Sequence, residues 1–459
     1  MAHPGDQADA WGERLPRYLG LWSSIAVLVG STIGSGIFRV PAGAAATLGA
    51  PGPVLLAWVL GGAIALFGAL TYAELAAALP RSGGVFAYIL EAFGPLPAFL
   101  FGWSELTVIR ASALGAIATI FAEYLGYFVP LTPMQVRWIA ALGVVLVGLF
   151  NYLGVRRAAV VMNLTTAAKY AALAGLVLFA FIGGGGSTAN FTPAWPAGLN
   201  LSLLATALIP IMWTYDGWAD LSFMGGEVRN PARTLPRALI LGTGLIVLVY
   251  LLLNVAFLYL LPTPEMAGSK LVASTAAERV PLFGGRGGAI VAGIVMLSCF
   301  GSLNGSMMTG PRIFFAMADR GLFFRGIARV SPRFQSPSTA IWLATALGVV
   351  YVLLNDFQQL ADKFILGIWP FYALAVAAVF VFRRSRPELV RPYRAWGYPI
   401  VPLLFLLASV GMIANALWTQ PRDTGITFAI ILSGVPAYFL WRWRRDTMGK
   451  ASVAARTAA

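Results

Sequence analysis

The sequence has very little cysteine, histidine or charge. It contains one cysteine, Cys299, and one histidine, His3, in 459 residues. A lone cysteine cannot form a disulfide within the chain, and a single histidine argues against a histidine-based metal site or general base. Charged residues make up 11% of the chain, whereas a soluble domain carries about 25%. The scarcity of charge therefore excludes an ordinary soluble protein.

Long apolar segments take the place of a charged surface. Hydrophobic residues make up 59% of the chain, and the mean hydropathy is +0.78. In lipid, every backbone N–H and C=O must be satisfied within the chain, so only helices and closed barrels span a bilayer. Barrel strands alternate polar and apolar positions, whereas runs such as Gly143–Leu149 and Ala238–Leu261 are almost continuously apolar. We therefore predict an all-α integral membrane protein.

Twelve apolar runs approach the length of roughly 20 residues that a helix needs to cross the hydrocarbon core. They are Tyr18–Leu48, Val54–Ala78, Pro95–Phe121, Val136–Leu153, Ala158–Ile182, Leu199–Met224, Arg237–Leu261, Gly287–Met308, Thr339–Leu354, Gln358–Phe382, Ile400–Trp418 and Gly425–Trp443. A short interfacial helix is expected at Val85–Ala92, ahead of the third run. Residues 1–17 and 446–459 are predicted to form polar tails.

The basic residues predict an orientation for these runs. With the N-terminus placed in the cytoplasm, 23 of the 32 Lys and Arg residues fall in cytoplasmic connections and six in outer ones. Cytoplasmic loops carry the excess of positive charge, so both termini are predicted to be cytoplasmic, in the cell (inner) membrane. The pI near 10.2 does not indicate nucleic-acid binding, because these charges lie between apolar runs rather than in base-reading motifs.

Two of the apolar runs are interrupted by residues that weaken a helix. The first run carries Gly30, Gly34 and Gly36, and each glycine costs a helix about 1 kcal/mol relative to alanine. The sixth run carries Asp216 followed by Gly217. The first and sixth runs each head a set of five, and paired interruptions in corresponding positions of two halves indicate an inverted-repeat transporter.

The interrupted segments have the chemistry to bind a zwitterion. A half-helix starting near Ile37 would present free N–H groups and the positive end of its dipole to a carboxylate. Freed carbonyl groups would suit an ammonium group; they belong to Thr32, Ile33, Trp213 and Asp216. The other interpretation of Gly34-Ser35-Gly36 is a small-residue surface for helix packing. The matching break at Asp216 favours a binding site for α-amino acids.

An ordered set of short motifs covers residues 18–445. The motifs are Gly34-Ser35-Gly36-Ile37-Phe38, Tyr72-Ala73-Glu74-Leu75 with Pro80-Arg81-Ser82-Gly83-Gly84, Ile109-Arg110-Ala111-Ser112, Ala167-Ala168-Lys169, Tyr215-Asp216-Gly217-Trp218, Glu227-Val228-Arg229-Asn230-Pro231 and Gly301-Ser302-Leu303-Asn304-Gly305. Together they resemble the amino acid–polyamine–organocation superfamily, and most of all the L-type amino-acid transporters and their bacterial relatives. The resemblance implies a LeuT-like fold with twelve transmembrane helices. Inverted five-helix repeats are then expected at about 18–182 and 199–382, followed by two additional helices at 398–445.

The resemblance also implies a substrate site. It comprises Thr32, Ile33, Gly34, Ser35, Gly36, Trp213 and Asp216. In such proteins the N–H groups at Ser35 and Gly36 hold the substrate carboxylate, carbonyls of both breaks hold the amino group, and the Trp213 ring is expected to gate the ligand. Tryptophan at this position is similar to the arginine/agmatine exchangers, whereas L-type proteins usually carry phenylalanine. The size and charge of the substrate side chain therefore stay open.

Lys169 is a charged residue in the middle of the fifth run, where charge is costly and usually functional. By the resemblance, its ammonium replaces the Na⁺ of sodium-coupled relatives and ties the region of Gly34 to the eighth run. The alternative is a side chain that reaches the cytoplasmic surface. Proton coupling through Lys169 is a further possibility. Among the other charges predicted within the spans, Arg110 is expected to pair with a carboxylate inside the bundle.

The sequence therefore predicts a transporter rather than an enzyme or a channel, because it lacks clustered catalytic groups and repeated polar rings. We expect sodium-independent exchange or uniport of small to medium neutral amino acids by alternating access. Proton symport and antiport of cationic amino acids or amines are the alternatives. No cofactor or metal is predicted. A disulfide-linked heavy chain is not expected, because residues 122–135 contain no cysteine.

Overall fold

The computed structural model describes residues 17–443 apart from 18, 81–82, 154–169, 172, 197, 199, 320, 330, 332 and 335. Helices dominate this part of the chain. Within it, extended pairing is limited to an isolated β-bridge between Leu19 and Val228. The all-α prediction is confirmed.

Each of the twelve predicted runs contains helix. In chain order the helices are Leu21–Thr32 with Val40–Leu48, Pro51–Ala78, Pro95–Leu125, Pro133–Tyr152, Leu173–Ile182, Leu201–Tyr215, Pro231–Leu260, Gly287–Asp319, Ser338–Leu354, Phe357–Ser385, Ile400–Thr419 and Pro421–Trp443. We number them as spans one to twelve. Among the described residues, eight helices are long and apolar enough to cross a membrane, so twelve crossings stay a prediction. The short helix expected before the third span lies at Gly84–Phe93.

The first span is interrupted, as predicted. Its first helix ends at Thr32, a single 3-10 turn follows at Gly36–Phe38, and the second helix begins at Val40. Helical structure thus resumes close to Ile37, where the sequence predicts the second half-helix to start, but its first turn is 3-10 and the α-helix itself begins three residues later. Pro41 lies in the first turn of the new helix, where a residue without an N–H is tolerated.

The sixth span is interrupted at the predicted place. Its helix ends at Tyr215, and Asp216 has extended backbone with ψ of 150°. Gly217 follows with φ of +109°, a conformation that residues with a side chain rarely adopt. Short 3-10 turns at Asp220–Phe223 and Gly225–Glu227 continue the chain toward the seventh span.

A face of glycines on the second span brings the sixth and seventh spans close to it. A Cβ atom at Gly61 would lie 2.7 Å from Ile211, and one at Gly62 would lie 2.7 Å from Val247. Small residues allow such close approach of helices in membranes. The second span therefore supports the segment that leads into the break at Asp216.

Near the C-terminal end of the second span, the Glu74 carboxylate binds residues at and beyond the C-terminal end of the tenth span. Its carboxylate accepts hydrogen bonds from Arg383 at 2.6 and 2.9 Å and from the Ala395 N–H at 2.6 Å. Arg391 lies 3.5 Å from the same carboxylate. The Glu74 side chain is only 3% exposed, so water cannot replace these partners.

We expect Glu74→Gln to lower the free energy of unfolding by about 2 kcal/mol, because two arginines lose their counter-charge. Thermal unfolding of the purified protein in detergent measures this loss. Glu91→Gln is the matched control: Glu91 pairs with Arg386 at 2.6 Å, but these side chains are 24% and 41% exposed. Exposed pairs contribute less than about 1 kcal/mol. Equal destabilisation by both changes would contradict the special role of Glu74.

Candidate functional site

The two breaks pack directly against each other. A Cβ atom at Gly217 would lie 2.8 Å from the Thr32 Cα and 2.9 Å from the Thr32 backbone nitrogen. The Ser31 hydroxyl also lies 3.5 Å from the Gly217 carbonyl. Only glycine lets the sixth span approach the end of the first helix so closely. The sequence singled out both segments, and the structure brings them together.

Gly36 makes a second close contact between the breaks. A Cβ atom there would lie 2.7 Å from the Thr214 hydroxyl and 2.9 Å from Cζ3 of the Trp213 ring. Gly34 has more room: the nearest atoms to a Cβ at that position are the Thr32 carbonyl at 3.7 Å and the Ser302 hydroxyl at 4.0 Å. The first break is therefore packed less tightly at Gly34, beside the eighth span, than at Gly36.

In the 3-10 turn, the N–H groups of its last residue and of the residue after it are hydrogen-bonded. Among the residues that the structure describes, the N–H groups at its start have no backbone acceptor. Phe38 donates to the Ser35 carbonyl at 3.2 Å, and Arg39 donates to the Gly36 carbonyl at 3.0 Å. Within the described residues, no backbone carbonyl accepts from the N–H of Ser35 or Gly36. These two N–H groups precede the positive end of the helix that begins at Val40, where an anion is stabilised.

Carbonyl groups of both breaks have the opposite polarity and suit a cation. The Trp213 carbonyl accepts weakly from the Asp216 N–H at 3.3 Å. In the described part of the chain, the carbonyls of Ile33 and Asp216 accept no backbone hydrogen bond. They lie beyond the C-terminal ends of the first and sixth helices, where the dipole is negative and carbonyls are unpaired. A donor with positive charge suits this place.

Two tyrosines complete the breaks, and the sequence analysis did not identify either. The Tyr250 hydroxyl lies 3.0 Å from the Thr32 carbonyl and 3.1 Å from the Thr214 carbonyl. The Tyr372 hydroxyl donates to the Asp216 carboxylate at 2.8 Å. The only available signal was a polar aromatic residue within an apolar run, which is common in membrane helices and therefore not specific.

Charged side chains continue from the site into the bundle. Asp216 and Asp220 are both half-buried, and the Asp220 carboxylate hydrogen-bonds with Ser31. Arg110 donates to Glu105 at 3.1 Å and to the Ser306 hydroxyl at 2.9 Å. The prediction that Arg110 pairs with a carboxylate is confirmed. This group contains three carboxyl groups and one guanidinium.

Aromatic and charged residues pack beside the breaks. The buried Trp213 ring packs edge-on against Phe357, with ring centroids 5.3 Å apart. The Arg39 guanidinium lies 5.3 Å above the Phe357 ring and pairs with Glu123 at 2.8 Å. Trp213 thus stands where a gate is expected, and its gating role stays a prediction.

Lys169 lies outside the described residues. The eighth span, which the resemblance connects to Lys169, does approach the first break at Ser302. Nearby, the Asn151 amide donates to the buried Asn304 side chain at 2.9 Å.

Comparison with known proteins identifies the family. Residues 19–440 match the family model described as amino acid permease. The human b(0,+)-type amino acid transporter 1 is 34% identical over 447 residues, covering 93% of this chain and 88% of the relative. The human cystine/glutamate transporter is 33% identical, with 93% and 86% covered. The serine/threonine exchanger SteT of Bacillus subtilis (strain 168) is 30% identical, with 94% and 98% covered.

These matches extend over nearly all of the helices and over both breaks, and they confirm the resemblance that the motifs indicated. Together with the apolar helices, they show that the chain is a membrane protein that transports amino acids rather than an enzyme. The chain belongs to the amino acid permease family of the amino acid–polyamine–organocation superfamily and is a multi-pass membrane transporter of amino acids.

Proposed function

We propose that the protein exchanges α-amino acids across the membrane without sodium, holding each one as a zwitterion at the two breaks. The observation that carries this proposal is the contact between the breaks. It places two unused N–H groups, at Ser35 and Gly36, close to the negative ends of two helices. The positive helix end then binds the carboxylate, and the two negative helix ends bind the ammonium, the two groups that all α-amino acids share.

Small to medium neutral side chains fit this site best. The Trp213 ring and Phe357 bound the site on one side, and aromatic walls favour apolar or small polar groups over strongly hydrated ones. The exchanger SteT, whose name specifies serine and threonine, aligns over 98% of its length with this chain. Its similarity supports small neutral substrates and an exchange mechanism.

Cationic amino acids are the second candidate class. Asp216 and Asp220 face the bundle with Glu105, and Arg110 is the cation beside them. A substrate with a positive side chain would favour the ionised form of these carboxyl groups and pair with them. The arginine/agmatine resemblance of Trp213 points the same way, so competition between neutral and cationic amino acids separates the two candidates.

Orientation and assembly follow the sequence predictions. We place both termini in the cytoplasm of the cell (inner) membrane, with inverted repeats at 18–182 and 199–382 and additional helices at 398–445. The positive charge of the connections supports the cytoplasmic placement of the termini. Cys299 is buried within the eighth span, which supports function without a disulfide-linked heavy chain.

Flux into proteoliposomes tests the proposed function. We expect uptake of radiolabelled serine only when the vesicles contain unlabelled amino acid, because the loaded site must return occupied in an exchanger. Replacing Na⁺ by choline is expected to leave uptake unchanged. Small and medium neutral amino acids are expected to be the best competitors.

Each other outcome has a distinct meaning. Uptake into empty vesicles would show uniport, and uptake driven by an imposed pH gradient would show proton symport. A sodium requirement would contradict the role proposed for Lys169. Stronger competition by arginine or lysine than by serine would establish the cationic candidate. Failure of every α-amino acid to compete would overturn the placement of the zwitterion at the breaks.

A further inference from the structure

Tyr250 connects the two breaks through one hydroxyl group. It lies on the seventh span, is completely buried, and reaches the Thr32 carbonyl at 3.0 Å and the Thr214 carbonyl at 3.1 Å. These carbonyls belong to the last turns of the first and sixth helices. Both helix ends are negative and repel each other, so a shared proton between them holds the breaks at a fixed separation.

The Tyr250 hydroxyl has fewer protons than there are carbonyl groups beside it. A phenol has one proton, and a carbonyl oxygen has two lone pairs. The Thr32 carbonyl already accepts from the Gly34 N–H at 2.7 Å, and the same N–H also hydrogen-bonds with the Tyr250 oxygen. When Tyr250 also donates to it, both lone pairs are used. An ammonium group can use the Thr32 carbonyl only when the Tyr250 proton points to Thr214.

The phenol ring is fixed, so only its proton can change partner. The ring packs against Trp58 with centroids 5.8 Å apart and against Tyr215 with centroids 5.2 Å apart. The two acceptor distances differ by little. Rotation of the hydroxyl about its C–O bond therefore moves the hydrogen bond from one carbonyl to the other without moving either helix.

We propose that Tyr250 is a positioning residue for the substrate ammonium. In the empty site its one proton satisfies the buried carbonyls of both breaks, and it passes to Thr214 alone when the ammonium takes the Thr32 carbonyl. This inference rests on the proposed placement of the zwitterion at the breaks. It adds that recognition of the primary ammonium depends on a side chain of the seventh span.

The test is competition against radiolabelled serine in the exchange assay. The competitors are serine, its N-methyl analogue and its methyl ester. We expect Tyr250→Phe to weaken competition by serine about tenfold. The penalty for N-methylation is expected to shrink, since the carbonyls are no longer aligned. The penalty for esterification is expected to stay as in the wild type, because the hydrogen bonds that the structure shows for Tyr250 go to Thr32, Thr214 and Gly34 rather than to the N–H groups of Ser35 or Gly36. A merely structural loss would change both penalties together.

Tyr215→Phe is the matched control. The Tyr215 hydroxyl donates to the Trp58 carbonyl at 3.0 Å, away from the carbonyls of the breaks, and its ring shares the same aromatic packing. We expect it to leave both penalties unchanged. Gel filtration in detergent checks that each variant is folded.

A second variant keeps the connection but changes the number of protons. Para-aminophenylalanine at position 250, introduced by genetic code expansion, carries two N–H donors and can satisfy both carbonyls at once. The proposal expects about tenfold weaker competition by serine, because the Thr32 carbonyl then has no free lone pair. A purely structural connection would tolerate this change fully.

The outcomes separate this inference from the function on which it rests. If N-methylserine competes as well as serine in the wild type, the ammonium is not read at the breaks and both proposals fail. If the wild type discriminates and Tyr250→Phe discriminates equally well, only the role of Tyr250 is overturned. Unchanged competition with para-aminophenylalanine at position 250 would likewise overturn the transfer of the proton.

Discussion

Gly217→Ala is expected to reduce amino-acid exchange by about 100-fold. The added Cβ would lie 2.8 Å from the Thr32 Cα, so the backbone of one break must move. A side chain is also strained at φ of +109°. Strain and collision together amount to about 3 kcal/mol, which corresponds to a factor of about 100. Initial rates of exchange in proteoliposomes measure the loss.

Gly244→Ala is the matched control for Gly217→Ala. Gly244 lies within the seventh span, and a Cβ at that position has no atom within 4 Å. Alanine also favours helix over glycine, so we expect normal expression and normal exchange. If Gly217→Ala retained more than half of the wild-type rate, the close contact between the breaks would not be needed for transport.

Trp213→Ala is expected to weaken substrate binding by roughly 60-fold. The ring packs against Phe357, above which Arg39 lies, and its removal is expected to let water reach the bound zwitterion from that side. About 100 Å² of indole surface facing the ligand, at about 25 cal/mol per Å², corresponds to about 2.5 kcal/mol. The concentration of serine for half-maximal exchange measures the change.

Trp213→Phe tests whether the size of the ring matters, whereas Trp213→Ala tests whether a ring is needed at all. Phenylalanine keeps an aromatic wall against Phe357 but leaves more space, so we expect larger neutral amino acids to compete better than in the wild type. Trp22→Ala controls for the loss of a tryptophan, since Trp22 is 79% exposed. Equal affinity for serine in Trp213→Ala and wild type would contradict the gating role.

The position of the breaks could be predicted from the sequence because it depends on local chemistry. Glycine and an ionisable carboxyl within an apolar run disfavour helix wherever the run packs. The 3-10 form of the first turn, at Gly36–Phe38, could not be predicted, since a 3-10 turn and an α-helical turn need the same residue types.

The partners of the breaks depend on tertiary packing, which a single sequence does not contain. Tyr250 and Tyr372 lie 36 and 156 residues from the groups that they contact in the sixth span. Their spans place them there only after the bundle has formed. Arg39 and Glu123 were visible as charges within or near spans, but their pairing across 84 residues also required the fold.

The glycine face of the second span has a consequence for how the molecule changes shape. At Gly61 and Gly62, side chains of the sixth and seventh spans occupy the volume that a Cβ would need. Surfaces that fit this closely cannot slide past one another without collision. We therefore expect the three spans to move together as a single rigid body. Alternating access must then break contacts between side-chain tips, such as the pair of Arg39 and Glu123.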